Sequence, residues 1–150
     1  KTAYEISACL VGSEMCKETA FTLAIDFDGT IVEDAYPKIG KPKIFAFESL
    51  KKLQQDGHRL ILWTYRYGEA LQEAVNFCKA NGLEFYAVNC SFPNEVYDPK
   101  KSRKINADLF IDDRNVGGFY GWGEIYQFLS ESDNPLSLPK KKRFFGLFKS

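Results

Sequence analysis

Five polar residues stand where a buried chain would not be expected to carry them. Asp26 and Asp28 close the apolar run Phe21-Thr-Leu-Ala-Ile, Thr64 closes Leu-Ile-Leu-Trp, and Asp112-Asp113 closes Leu-Phe-Ile. Burying a carboxylate is costly unless something pairs with it. Two acid clusters that converge would repel each other, and a divalent cation offsets that repulsion. An all-oxygen set of this kind suits a hard ion such as Mg²⁺. With the Thr64 hydroxyl and a lysine from Lys100, Lys101 or Lys104, the same place holds ligands for a metal and donors for an anion. Phosphate is the guest that fits both.

The elements that must position these residues follow from hydrophobic period and punctuation. Apolar, β-branched runs predict strands over 21–27, 59–65, 84–89 and 107–113. Phe47, Leu50 and Leu53 make a helical stripe over 44–57, and Leu71, Ala74, Val75 and Cys78 make one over 68–82. Each stops at a glycine, Gly57 or Gly82. A last helix is expected over 124–130, with loops over 29–42 and 91–104. Strand and helix in alternation predict an α/β fold with a parallel sheet, whose ligands lie outside the carboxyl ends of the strands. All five polar residues then fall along one edge. Tyr4, Ile6, Ala8 and Leu10 alternate, which allows a short strand in an N-terminal extension, residues 1–20. The domain itself spans 21–130, and 131–150 reads as a linker and tail.

Asp26-Phe27-Asp28-Gly29-Thr30 resembles the first motif, DxDxT, of the haloacid dehalogenase superfamily. Thr64 resembles its second motif and Asp112-Asp113 its fourth, in the family's order and at strand ends. The runs YPKIGKP, WTYRYGEAL, LEFYAVN and IDDRNVGG are further similar to small capless bacterial members. The resemblance covers roughly residues 21–130. It implies a three-layer α/β/α Rossmann-like core with a mainly parallel sheet and no large cap domain. It also implies a Mg²⁺-dependent phosphomonoester hydrolase. Asp26 would attack phosphorus to form an aspartyl-phosphate, and Asp28 would act as general acid and base. Mg²⁺ would be held by Asp26, the backbone carbonyl of Asp28, and Asp112, with Asp113 orienting that set. Thr64 and Lys104, or Lys101 in its place, would bind the phosphoryl group, with Gly29 and Thr30 beside it. Dehalogenating relatives have no acid at the position of Asp28, because a halide leaves without a proton. The chain therefore reads as a phosphotransfer enzyme.

Neither 29–42 nor 65–104 has room for a cap. The open site implies a large substrate, or a second copy in a homo-oligomer that supplies the lid. Glu33, Asp34, Tyr36 and Arg66 are either plain surface residues or contacts to the leaving group. Arg66, two residues after Thr64, is the best placed of them, and Arg114 would brace the Asp112-Asp113 turn. His58 precedes the second strand, at the wrong edge for chemistry. Trp63 and Trp122 read as packing residues.

The formal net charge is zero, but five of the 20 basic residues lie in 140–149 and leave 15 against 20 acids elsewhere. An acidic body of this kind argues against a nucleic-acid surface. The tail LPKKKRFFGLFKS reads either as a plain terminus or as a weak contact, through 140–150, to an anionic membrane. Cys9, Cys16, Cys78 and Cys90 form no CxxC pair, and His58 is the one histidine. That argues against structural zinc and for reduced thiols in a cytoplasmic chain. No secretory signal and no run long enough to span a membrane is visible. A phosphoacceptor signalling module uses similar residue types, but carries its paired acids and acceptor in a different strand order. Asp28, spare in such a module, favours turnover. A non-catalytic phosphate-binding module is the remaining alternative, although every motif residue is present.

Overall fold

The structure is a computed structural model that describes residues 20–131. The expected extension over 1–20, with Cys9 and Cys16, and the tail over 140–150 lie outside the described residues. Four parallel strands form one sheet: β1 (Thr22–Ile25), β2 (Arg59–Leu62), β3 (Ala87–Val88) and β4 (Leu109–Ile111). Their order is β3-β2-β1-β4. Ile25 stands opposite Leu62 on one side and Ile111 on the other, so β2, β1 and β4 end level. The helices are α1 (Ala46–Gln55), α2 (Gly68–Ala80) and α3 (Trp122–Glu131). The α/β parallel-sheet fold is as the sequence predicts.

Connection chirality explains the layers. From β1 through β2 to β3 the chain moves one way across the sheet, so right-handed crossovers put α1 and α2 on the same face. There Leu23, Ile25, Leu60, Leu62 and Ile111 meet Phe47, Leu50 and Leu53 of α1, Ala74 and Cys78 of α2, and Trp122 and Leu129 of α3. Fully burying each large apolar side chain contributes about 1.5–3 kcal/mol. The β3-to-β4 connection runs back past β1 and covers the other face without a regular helix. Ile105 packs there on Ala24, Ile61 and Ala87, with Trp63, Ala107 and Phe110 around it. This irregular segment forms the third layer.

Both crossover helices end in the same hydrogen-bonded motif. Gly57 and His58 donate their N–H groups to the Gln54 and Leu53 carbonyls, and Gly82 and Leu83 donate to Lys79 and Cys78. His58 is buried, and its Nδ1 accepts the Phe21 N–H at 3.0 Å, so its role is structural as expected. Burial pushes the Cys78 thiol up to about 12, which leaves it unreactive.

The strands are shorter than predicted. The 84–89 run keeps only two ladder residues, because β3 is an edge strand paired with β2 alone. The 21–27 run leaves the ladder after Ile25, although the Asp26 N–H still bonds the Ile111 carbonyl at 3.0 Å. That last bond fixes Asp26 at the carboxyl edge while freeing its side chain from the pleat. The 29–42 loop closes into a small hairpin, with Val32 bridged to both Asp28 and Pro42. Among the described residues no helix is long and apolar enough to cross a membrane.

Candidate active site

Three of the predicted acids meet. Ligand oxygens of Asp26, Asp112 and Asp113 all lie within 4.8 Å of one another, at the ends of β1 and β4. Burial pushes the Asp26 carboxyl up to about 7, helped by the neighbouring Asp112 and Asp113 charges and opposed by hydrogen bonds from Phe27 and Thr30. Asp113 is also raised, by burial first and then by Asp112. Its Oδ1 is buried with no hydrogen-bond partner. A buried carboxylate oxygen without a donor, facing two more carboxylates, is the environment a hard cation relieves. The residues therefore fit a hard cation such as Mg²⁺, which Asp26, Asp112 and Asp113 would hold. The Asp28 side chain is not in this group.

Thr30 holds the two acid loops together. Its hydroxyl donates to Asp26 Oδ2 at 3.2 Å and accepts the Asp113 N–H at 3.0 Å. Its carbonyl accepts the Trp122 indole N–H at 2.8 Å. Thr30 is fully buried. Its hydroxyl is thus engaged in positioning the acids rather than exposed to a ligand.

Gly29 packs against the same acid. It is buried at φ +82°, and a Cβ there would stand 2.2 Å from Asp113 Oδ2. Glycine is required because the Asp113 carboxylate occupies the space of a side chain. Gly29→Ala is expected to cost about 1–2 kcal/mol in backbone strain alone and to displace Asp113. Mg²⁺ affinity, measured by calorimetry, should fall at least tenfold. An unchanged affinity would show that Asp113 is not needed in its present position.

Arg66 departs furthest from expectation. It is neither on the surface nor open to a leaving group, with 1% of its area exposed. Its Nε and Nη2 donate to the two carboxylate oxygens of Asp28, each at 2.7 Å. Nη1 donates to the Pro37 and Ala70 carbonyls, and Nη2 to the Lys38 carbonyl. All five guanidinium N–H donors therefore have acceptors. The Phe27 and Tyr36 rings flank the group at 5.0 and 5.3 Å. Arg66 thus fastens the 29–42 hairpin to β2 and holds the Asp28 carboxylate at the interface.

Thr64 stands beside the acids, one strand over. Its N–H donates to Asn89 Oδ1 at 2.8 Å, and its hydroxyl oxygen accepts the Arg66 N–H at 3.2 Å. Asn89 was not anticipated as a site residue. Its backbone lies at φ +52°, a conformation asparagine tolerates well, which is the one signal its residue type carries.

The lysines sit to one side. Lys100 and Lys101 lie in the turn that Asp98 closes, and the Lys104 ammonium lies 5.4 Å from the Phe110 ring of β4. Neither Lys101 nor Lys104 forms an ion pair with the acids among the described residues. Both line a cavity of about 390 Å³ between the ends of β2 and β3 and the 91–105 segment. Trp63 also lines it, while Trp122 is in the core. The Arg114 N–H donates to Asp112 Oδ1 at 2.8 Å, so the backbone braces the turn. The Arg114 guanidinium instead approaches Asp34 at 4.0 Å, and both side chains are exposed.

No family model matches the chain, and no curated protein matches it. The chain is similar to a solved structure described as that of a conserved protein coded by a locus from Bacteroides thetaiotaomicron. The two are 57% identical with a TM-score of 0.73, over 77% of this chain and 94% of that chain.

Proposed function

The chain belongs to the family of that conserved Bacteroides thetaiotaomicron protein, and we propose that it is a Mg²⁺-dependent phosphomonoester hydrolase of the haloacid dehalogenase superfamily. The observation that carries the reading is the meeting of Asp26 with Asp112 and Asp113, fixed by the one buried hydroxyl of Thr30. The Asp26 carboxylate oxygen attacks phosphorus as the ester P–O bond breaks, leaving an aspartyl-phosphate and the freed alcohol. A bound Mg²⁺ would offset the charge of the acids and of the phosphoryl oxygens. The Thr64 hydroxyl, left free to donate, orients the phosphoryl group, and Lys104 or Lys101 adds positive charge from the adjacent cavity.

Asp28 is the group to protonate the leaving oxygen and then to take a proton from water. Arg66 already occupies both of its oxygens. Asp28 must therefore work through a remaining lone pair, or after the pair opens. This favours one alternative: a phosphoacceptor module in which a restrained Asp28 leaves the aspartyl-phosphate long-lived.

Hydrolysis of an aryl phosphate separates the readings. The native chain is expected to turn over only with Mg²⁺, and Asp26→Asn to fall to background, a loss of at least about 10³-fold. Stoichiometric, acid-stable phosphorylation of the native chain without turnover would favour the phosphoacceptor. A variant as active as the native chain would remove Asp26 from the chemistry.

A further inference from the structure

The cavity between β2, β3 and the 91–105 segment has a composition of its own. Its cations have no carboxylate partners: Lys101, Arg103 and Lys104 form no ion pair among the described residues. The two acids of the same wall are engaged by backbone. Glu95 accepts the Ser91 N–H, and Asp98 accepts the Lys100 N–H at 2.9 Å. The lining therefore carries three cations against two carboxylates, and none of the cations is ion-paired among the described residues. Arg103, which lines it, is held by Tyr97, whose hydroxyl accepts its Nε–H at 3.2 Å and whose ring lies 5.5 Å from the guanidinium.

Trp63 follows the last residue of β2 directly, is half-buried and lines the cavity. The next residue is Thr64, whose N–H is fixed by Asn89, itself part of the cavity lining. The cavity thus opens beside the group that would hold the phosphoryl oxygen. A volume of about 390 Å³ lies in the range of small-molecule sites, roughly 300–1,000 Å³.

We propose that this cavity is the leaving-group subsite and that it takes a nucleotide: a planar ring against Trp63 and a further anionic group against Lys101 and Arg103. The substrate class is then a phosphate ester whose leaving group carries both a flat ring and additional negative charge. The assignment rests on the hydrolase reading for its role in turnover, but not for binding. Ring stacking is worth about 1–3 kcal/mol and needs no particular base. Two cations beside the ring add selectivity for phosphate over a neutral sugar.

Tryptophan emission provides the test, since Trp63 and Trp122 are the only tryptophans and Trp122 is 2% exposed. ADP, adenosine and pyrophosphate are titrated into the full chain with Mg²⁺. ADP is expected to quench Trp63 and to bind at least tenfold more tightly than adenosine or pyrophosphate. By calorimetry, Arg103→Ala should weaken ADP at least tenfold, and so should Trp63→Ala. Arg103 is exposed, so its variant tests the site even where the tryptophan change disturbs packing. ADP affinity no better than that of pyrophosphate would overturn the proposal. So would ADP binding that is abolished by Asp112→Asn but unchanged in Arg103→Ala, which would put the ligand at the acid cluster. ADP binding without aryl phosphate turnover would support the subsite and sink the hydrolase reading. Turnover without ADP binding would do the reverse.

Discussion

Arg66→Ala is expected to destabilise the protein by about 3–5 kcal/mol, the cost of removing one partner from a buried ion pair. The loss has three parts. Both Asp28 oxygens lose their donors, the Pro37, Lys38 and Ala70 carbonyls lose theirs, and the space between Phe27 and Tyr36 is emptied. Thermal unfolding should shift down by roughly 10 °C or more. Arg66→Lys should recover only part of this, because an ammonium has three donors on one point and cannot match a planar fork. The Asp28 hydrogen bonds and charge raise the proton affinity of the guanidinium and outweigh the opposing effect of burial, so Arg66 stays charged at every working pH. Urea unfolding of the native chain and of both variants measures these differences. A loss below about 1 kcal/mol for the alanine variant would class the pair with solvent-exposed ion pairs and would leave the hairpin anchored by something else. Activity separates structure from chemistry. If the Arg66 pair restrains Asp28, Arg66→Lys should change the lifetime of the phosphorylated chain even under conditions where the variant remains folded.

The parts of this molecule that were legible in the sequence are those fixed by local rules. Periodicity placed each described helix and strand, because Phe47, Leu50 and Leu53 must share a face and Gly57 must end their helix. Strand-end position placed Asp26, Thr64, Asp112 and Asp113 at one edge, because a parallel sheet sends every carboxyl end the same way. What escaped were roles that depend on a second segment. Thr30 looks like a phosphate contact until Asp113, 83 residues away, is seen to donate to its hydroxyl. Gly29 looks like a neighbour of the bound phosphoryl group until the Asp113 carboxylate is found where its Cβ would be. Arg66 looks like a surface cation because charged residues beside a turn usually are. Its burial follows chiefly from the Pro37 and Lys38 carbonyls and from a carboxylate 38 residues earlier, none of which has a local signature. The third layer was likewise unreadable as a layer. A loop over 91–104 was expected there, but nothing in its sequence says that Ile105 will cap Ala24, Ile61 and Ala87.

The acid cluster predicts an opposite response to pH from that of most carboxylates. Asp26 has its carboxyl raised to about 7 from an ordinary value of 3.8, chiefly by burial. The folded state therefore binds this proton more tightly than the unfolded chain does. Its contribution to stability is present below about pH 4, declines as pH rises toward 7, and stays at its lowest level above that. With a chelator present, the native chain should lose stability across this window relative to Asp26→Asn, which cannot titrate there. Cation binding reverses the penalty. Mg²⁺ competes with the proton for Asp26, so its apparent affinity should rise roughly 100-fold between pH 5 and pH 8, with most of the gain below 7. A hundredfold excess over Kd then adds about 2.7 kcal/mol to the folded state. The Mg²⁺-induced rise in thermal midpoint should accordingly be large at pH 8 and small at pH 5. A chain whose midpoint is equally insensitive to Mg²⁺ at both would have no cation site at Asp26, Asp112 and Asp113. A shift of the same size at both would mean that the cation is held by groups already ionised at pH 5, and that Asp26 is not among its ligands.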